Sequence, residues 1–274
     1  MNKNPSINPS FIQGKNYRYL YICKQQKYNL AEVLKMPLEE YAIVNGITSL
    51  IYVVISIIIG LRISSRYFKY KDINLILVGF SWIIICEPWI AQALTFLVYL
   101  ATQSPLTNNL HIFIGYFFLP IGMLCWIRAF TNLVNLKKQR LIFISFVILE
   151  IFFTALFLYF LVVNISLLGI VGEGFDISYG PVLLVFLLIH IVLLMVSGAL
   201  FARESLKFGD KETKLKGKFL IIAFISYMIG SFLSLVSPDS IWILVIARII
   251  NISAAFEFYC GFILPEKIAK IFIR

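Results

Sequence analysis

Residues 41–71 read YAIVNGITSLIYVVISIIIGLRISSRYFKYK, an uncharged run from 41 to 61 followed at once by Arg62, Arg66, Lys69 and Lys71. As a helix rising about 1.5 Å per residue, a run of about 20 residues matches a hydrocarbon core about 30 Å thick. Six more apolar stretches follow, at roughly 74–99, 109–133, 141–163, 182–202, 218–236 and 241–264. With 60% hydrophobic and 14% charged residues, the chain has too little polar surface to solvate a soluble fold. The runs are continuous and do not alternate every second residue, which argues against a closed membrane barrel. The expected fold is an all-α polytopic membrane protein, a bundle of seven transmembrane helices.

The connections decide the orientation. Arg62, Arg66, Lys69 and Lys71 follow span 1, Lys137, Lys138 and Arg140 follow span 3, and Lys267, Lys270 and Arg274 follow span 7. Arg203, Lys207, Lys211, Lys214, Lys216 and Lys218 follow span 5, so sixteen of the 24 basic residues fall on one side. The alternating loops at 100–108, 164–181 and 237–240 contain no Lys or Arg. By the positive-inside rule the basic side is cytoplasmic, the N-terminus outside and the C-terminus inside. Lys3, Lys15, Arg18, Lys24, Lys27 and Lys35 in the N-terminal tail run against this, offset in part by Glu32, Glu39 and Glu40. The expected domains are an extracytoplasmic tail at 1–40, the helical domain at 41–264 and a short basic cytoplasmic tail at 265–274. The net charge of +10 is then mostly a record of topology and of contact with anionic lipid headgroups. Membrane lipids are the expected surroundings, a cytoplasmic partner at the basic loops and a homo-oligomer are left open, and no basic soluble module exists for nucleic acid. The multi-pass chain is expected in the cell membrane.

In the tail, Tyr17–Ile22 suits a short strand or a place among headgroups, and Asn29 with Glu32 has the spacing of a helix cap before Leu30–Met36. The connection at 164–181 is largely apolar and is expected to fold down onto the helix ends, with Glu173 and Asp176 forming an acidic rim.

Ionisable side chains within the spans cost at least about 2.5 kcal/mol on insertion scales and should find partners in the bundle. They are Glu87, Arg128, Glu150, His190, Arg248 and Glu257. Equal depth pairs Arg128 with Glu257 as an inner ion pair. Arg248 and His190 lie about 12 Å from the outer surface, where Arg248 would reach towards Glu87 or outward. The strongest local signal is Cys86-Glu87-Pro88-Trp89, in which the proline removes a helical hydrogen bond and frees backbone oxygen beside a carboxylate. Gln92 adds a polar group nearer the outside, and Pro120 marks a second kink at a similar depth. A polar cavity is therefore expected among spans 2, 3 and 4, with Glu87, Trp89, Gln92, Glu150, His190 and Arg248 as ligand-binding or proton-carrying candidates. Ser226, Gly230 and Ser234 form a small-residue stripe suited to close helix packing. No CxxC, HExxH or Walker motif occurs, and His111 and His190 are too few for a metal site, so neither metal nor cofactor is expected.

Seven spans with an external N-terminus is also the topology of G-protein-coupled receptors and microbial rhodopsins. Residues 241–264 contain no lysine to hold retinal, and Ile127-Arg128-Ala129 and Asn251-Ile252-Ser253-Ala254-Ala255 match neither receptor motif. The chain thus reads as a receptor-like sensor with a ligand cavity. The alternatives are a proton- or ion-coupled small-solute carrier and a structural or assembly protein. An enzyme is the weakest reading, because no nucleophile is placed beside a base.

Overall fold

The computed structural model describes residues 40–134, 137–207, 209–236 and 240–273. The features expected at Tyr17–Ile22, Asn29 and Leu30–Met36 lie outside the described residues. The chain forms α1 (Glu40–Ser65), a short α2 (Tyr67–Tyr70), α3 (Ile73–Ile85), α4 (Glu87–Thr102), α5 (Asn108–Tyr116), α6 (Leu119–Leu133) and α7 (Gln139–Val163). A 3-10 turn at Ile165–Leu167 leads into strands β1 (Gly169–Val171) and β2 (Ile177–Tyr179). Then come α8 (Pro181–Lys207), α9 (Lys211–Val236), α10 (Ile241–Ile263) and the short α11 (Glu266–Phe272).

Among the described residues six helical runs are long and apolar enough to cross a membrane, and α3 with α4, bent by 52°, would make a seventh if counted as one span. The architecture is that of a multi-span helical membrane protein. In the bundle α1 packs against α3, α4 and α10, α3 against α6, α8 against α9, and α9 against α10. The departure from an all-α fold is the antiparallel β1–β2 hairpin, with Ile170 opposite Ser178. Leu168, Phe175 and Ile177 turn down, each 2% exposed or less, while Ile170 faces outward. Backbone pairing satisfies the peptide groups that this descent takes out of water.

Close approach depends on glycine at the α1–α3 contact. A Cβ on Gly79 would meet the carbonyl oxygen of Gly60, and a Cβ on Gly60 would meet that of Gly79. The small stripe of α9 behaves similarly, with Gly230 against Asn251 and the backbone of Ala247. Deeper in the bundle Trp82 stacks on Phe258 at 4.1 Å between ring centroids. By contrast, α7 buries only Glu150 and Phe157 among its side chains. At the start of α9, Asp210 Oδ2 accepts the Thr213 amide at 2.8 Å, which holds this exposed carboxyl below its usual range.

Replacing Gly79 with Val drives two methyl groups into the facing backbone. A loss of about 1–3 kcal/mol is expected, read as a lower unfolding midpoint in detergent, whereas Gly209→Ala, which has open space around it, leaves the midpoint almost unchanged.

Candidate functional site

The site is built around Arg248, on the buried face of α10 and only 1% exposed. Its Nη2 donates to Gln92 Oε1 at 2.8 Å, Asn45 Oδ1 at 2.9 Å and Ser49 Oγ at 3.2 Å. Its Nη1 reaches Ser234 Oγ at 3.3 Å, and the guanidinium lies 5.6 Å from the Trp89 ring centroid. Asn45 and Ser49 stand one helical turn apart on α1, while Trp89 and Gln92 share a face of α4, so one cation on α10 gathers groups from three other helices, α1, α4 and α9.

Gln92 and Asn45 also reach the hairpin. Gln92 Nε2 donates to Asp176 Oδ1 at 2.9 Å, and Asn45 Nδ2 donates to the Gly174 carbonyl at 2.9 Å. The orientation of both amides is forced, because a guanidinium only donates while a carboxylate and a carbonyl only accept. Each amide must therefore turn its oxygen to Arg248 and its NH2 to the hairpin. Tyr41 OH donates to Asp176 Oδ2 at 3.0 Å, and Asp176 Oδ1 accepts the Ile177 amide at 3.0 Å. Two parallel amide bridges thus join the hairpin to a buried cation, and Asp176 supplies the balancing charge.

A second polar contact joins α7 to α8. His190 Nε2 lies 2.9 Å from Glu150 Oε2, and His190 Nδ1 lies 2.8 Å from the Phe186 carbonyl. Since that carbonyl only accepts, Nδ1 carries a proton. The Nε2–Oε2 contact then holds one more, on the ring or on the carboxyl, and the pair is neutral either way. The Phe186 ring lies 4.1 Å from the imidazole, centroid to centroid, tilted 44° to it.

Glu87 does different work. It opens α4 after the break at Cys86, and its Oε1 accepts the Phe118 amide at 2.9 Å, where span 3 breaks between α5 and α6. Pro120 stands just inside α6, so the carboxylate of one broken helix caps the start of another. The carbonyl of Ile85, freed at the same break, lies 3.4 Å from Tyr227 OH, the donor that reaches it.

A cavity of about 70 Å³, room for a few waters, lies between these groups. Gln92, Asp176, Tyr179 and His190 supply polar wall, and Leu119, Met123, Leu187 and Leu194 supply apolar wall. It differs from the cavity expected among spans 2, 3 and 4. Its walls come from α4, α6, α8, α9, the hairpin and Ile85 at the end of α3, and neither Glu87 nor Glu150 lines it, because each is turned to another partner.

The inner pair is also corrected. Arg128 is exposed on α6 with its guanidinium 5.4 Å from the Phe143 ring centroid, and Glu257 accepts from Ser253 Oγ at 2.7 Å. The two residues form no ion pair. They share a depth but not a direction: Trp126, two residues before Arg128, is 1% exposed, and that step turns the next side chain about 200° around the helix. Nor does Arg248 take Glu87 as its partner.

Of the candidates, the structure places Trp89, Gln92 and Arg248 together, and Glu150 with His190. Sequence reasoning missed Tyr41, Asn45, Ser49 and Ser234, and treated Asp176 as rim. The Asn45–Ser49 spacing within an otherwise apolar span was the available signal. Among the described residues no group of three or more His, Cys, Asp or Glu is placed to hold a metal ion. Cys86, Cys125 and Cys260 are free thiols. No protein-family model, curated protein or solved structure matches the chain.

Glu150→Gln keeps a partner for Nε2, because its NH2 donates to the ring nitrogen, whereas Glu150→Leu strands Nε2 among apolar groups. Leu is expected to cost about 1–3 kcal/mol more than Gln in chemical unfolding, and equal losses would contradict a stabilising contact between α7 and α8.

Proposed function

We propose that the chain is a seven-span receptor-like sensor of the cell membrane, with the hairpin and N-terminus outside and the basic loops and C-terminus in the cytoplasm. A small ligand occupies the cavity beneath the hairpin. The observation that carries this reading is the shared network: Asp176 and Gly174 of the hairpin are tied through Gln92 and Asn45 to Arg248, which also touches α9 through Ser234. Displacing the lid therefore disturbs contacts among α1, α4, α9 and α10, and those helices lead to the basic end. A bistable response at that end is the expected output. The carrier reading draws less support, because the two mid-span carboxylates that would exchange protons, Glu87 and Glu150, stand outside the cavity wall.

Spin labels test the coupling in lipid nanodiscs. A pair at Ser178 and Thr102 reports the lid, and a pair at Lys69 and Lys214 reports the basic end. Asp176→Ala is expected to broaden the first distance distribution and to shift the second by about 1–2 Å. A change confined to the lid pair would contradict a sensor and favour a protein whose polar groups serve assembly alone.

A further inference from the structure

We infer that the ligand of this cavity is a small amphipathic anion, with its acidic group taking the place of the Asp176 carboxylate at Gln92 and its apolar part lying against Leu119, Met123, Leu187 and Leu194. The inference rests on the receptor reading above and adds the chemistry of what is bound.

Three observations support it. The first is volume: with the hairpin seated, about 70 Å³ is available, so anything larger than a few waters must displace part of the wall. The wall that can move is the hairpin, whose two strands have three residues each, too few to be stable without the side-chain ties beneath them.

The second is charge. Arg248 is buried, and the acceptors within reach of its guanidinium, namely Gln92, Asn45, Ser49 and Ser234, are all neutral. Its balance is the Asp176 carboxylate, which is carried on the movable hairpin. A neutral ligand that lifted the hairpin would leave a buried cation uncompensated, a cost of several kcal/mol. An anionic ligand restores the balance as it displaces the lid, so the open state becomes accessible only with an anion in place.

The third is the donor set. Gln92 is oriented by Arg248 to present its NH2 group to an acceptor at the cavity wall, and Trp89 lies beneath the guanidinium as an aromatic floor. Most of the remaining wall is apolar, which fits a hydrocarbon body, and Tyr179, His190, Tyr227, Ser231 and Ser234 add polar groups to it. A short-chain carboxylate matches both ends.

The test compares hexanoate with hexanamide, which has nearly the same shape without the charge. Dissociation constants come from the dose-dependent rise in unfolding midpoint of the full chain in nanodiscs, for wild type and Asp176→Asn. Hexanoate is expected to bind wild type at least about tenfold more tightly than hexanamide does, the scale of a charge-assisted hydrogen bond. Asp176→Asn removes the charged competitor while keeping an acceptor, and is expected to tighten hexanoate about tenfold without improving hexanamide. Equal binding of the two probes, or hexanoate binding unchanged or weakened in Asp176→Asn, overturns the anion assignment but leaves a ligand cavity standing. Binding of neither probe to either protein also overturns it, and the lid-coupling measurement then decides the receptor reading separately.

Discussion

A guanidinium removed from water is the constraint around which one end of this molecule is arranged. Arg248 is 1% exposed inside the bundle, and burial of an unpaired charge there would cost more than most single interactions return. The chain meets that demand with four neutral acceptors and one carboxylate held at the far side of an amide. The consequence is structural economy: the residues that solvate the cation are also those that anchor the hairpin. A loop that would otherwise be a loose connection becomes part of the interior.

Broken helices raise the same question of unsatisfied groups, and the answer is again a side chain from a neighbour. Two spans lose backbone hydrogen bonds near Pro88 and Pro120. Glu87 accepts the amide left open in the second, and Tyr227 approaches a carbonyl left open in the first. In a membrane no water is at hand to perform either task, so breaks persist only where protein groups cover them. Glu87 is thereby fixed as a cap, which explains why so prominent a carboxylate stays out of the cavity beside it.

The helical spans were legible because hydropathy and length are properties of a linear string. The kink at Cys86-Glu87-Pro88-Trp89 was legible for a similar reason, since proline acts on its own turn. Direction around a helix axis was less accessible. Arg128 and Glu257 share a depth, yet Arg128 points away from the core that Trp126 enters, and no count of residues from a helix end reveals that without the packing. The partners of Arg248 were hidden differently: Asn45, Ser49 and Ser234 are unremarkable as single residues in apolar spans, and Asp176 lies in a connection whose strands are too short to show a period of two. What identifies them is a cation they all face, and that is a fact of three dimensions.

The central claim is that Asp176 and Arg248 act as one unit across Gln92. A double-mutant cycle on unfolding free energy in detergent, using Asp176→Asn, Arg248→Gln and the pair, measures this directly. The account predicts a coupling of about 1–3 kcal/mol, with the double variant more stable than the sum of the single losses implies. Additive losses, with a coupling near zero, would contradict it and reduce the hairpin to a lid that rests on the bundle without being held by its buried charge.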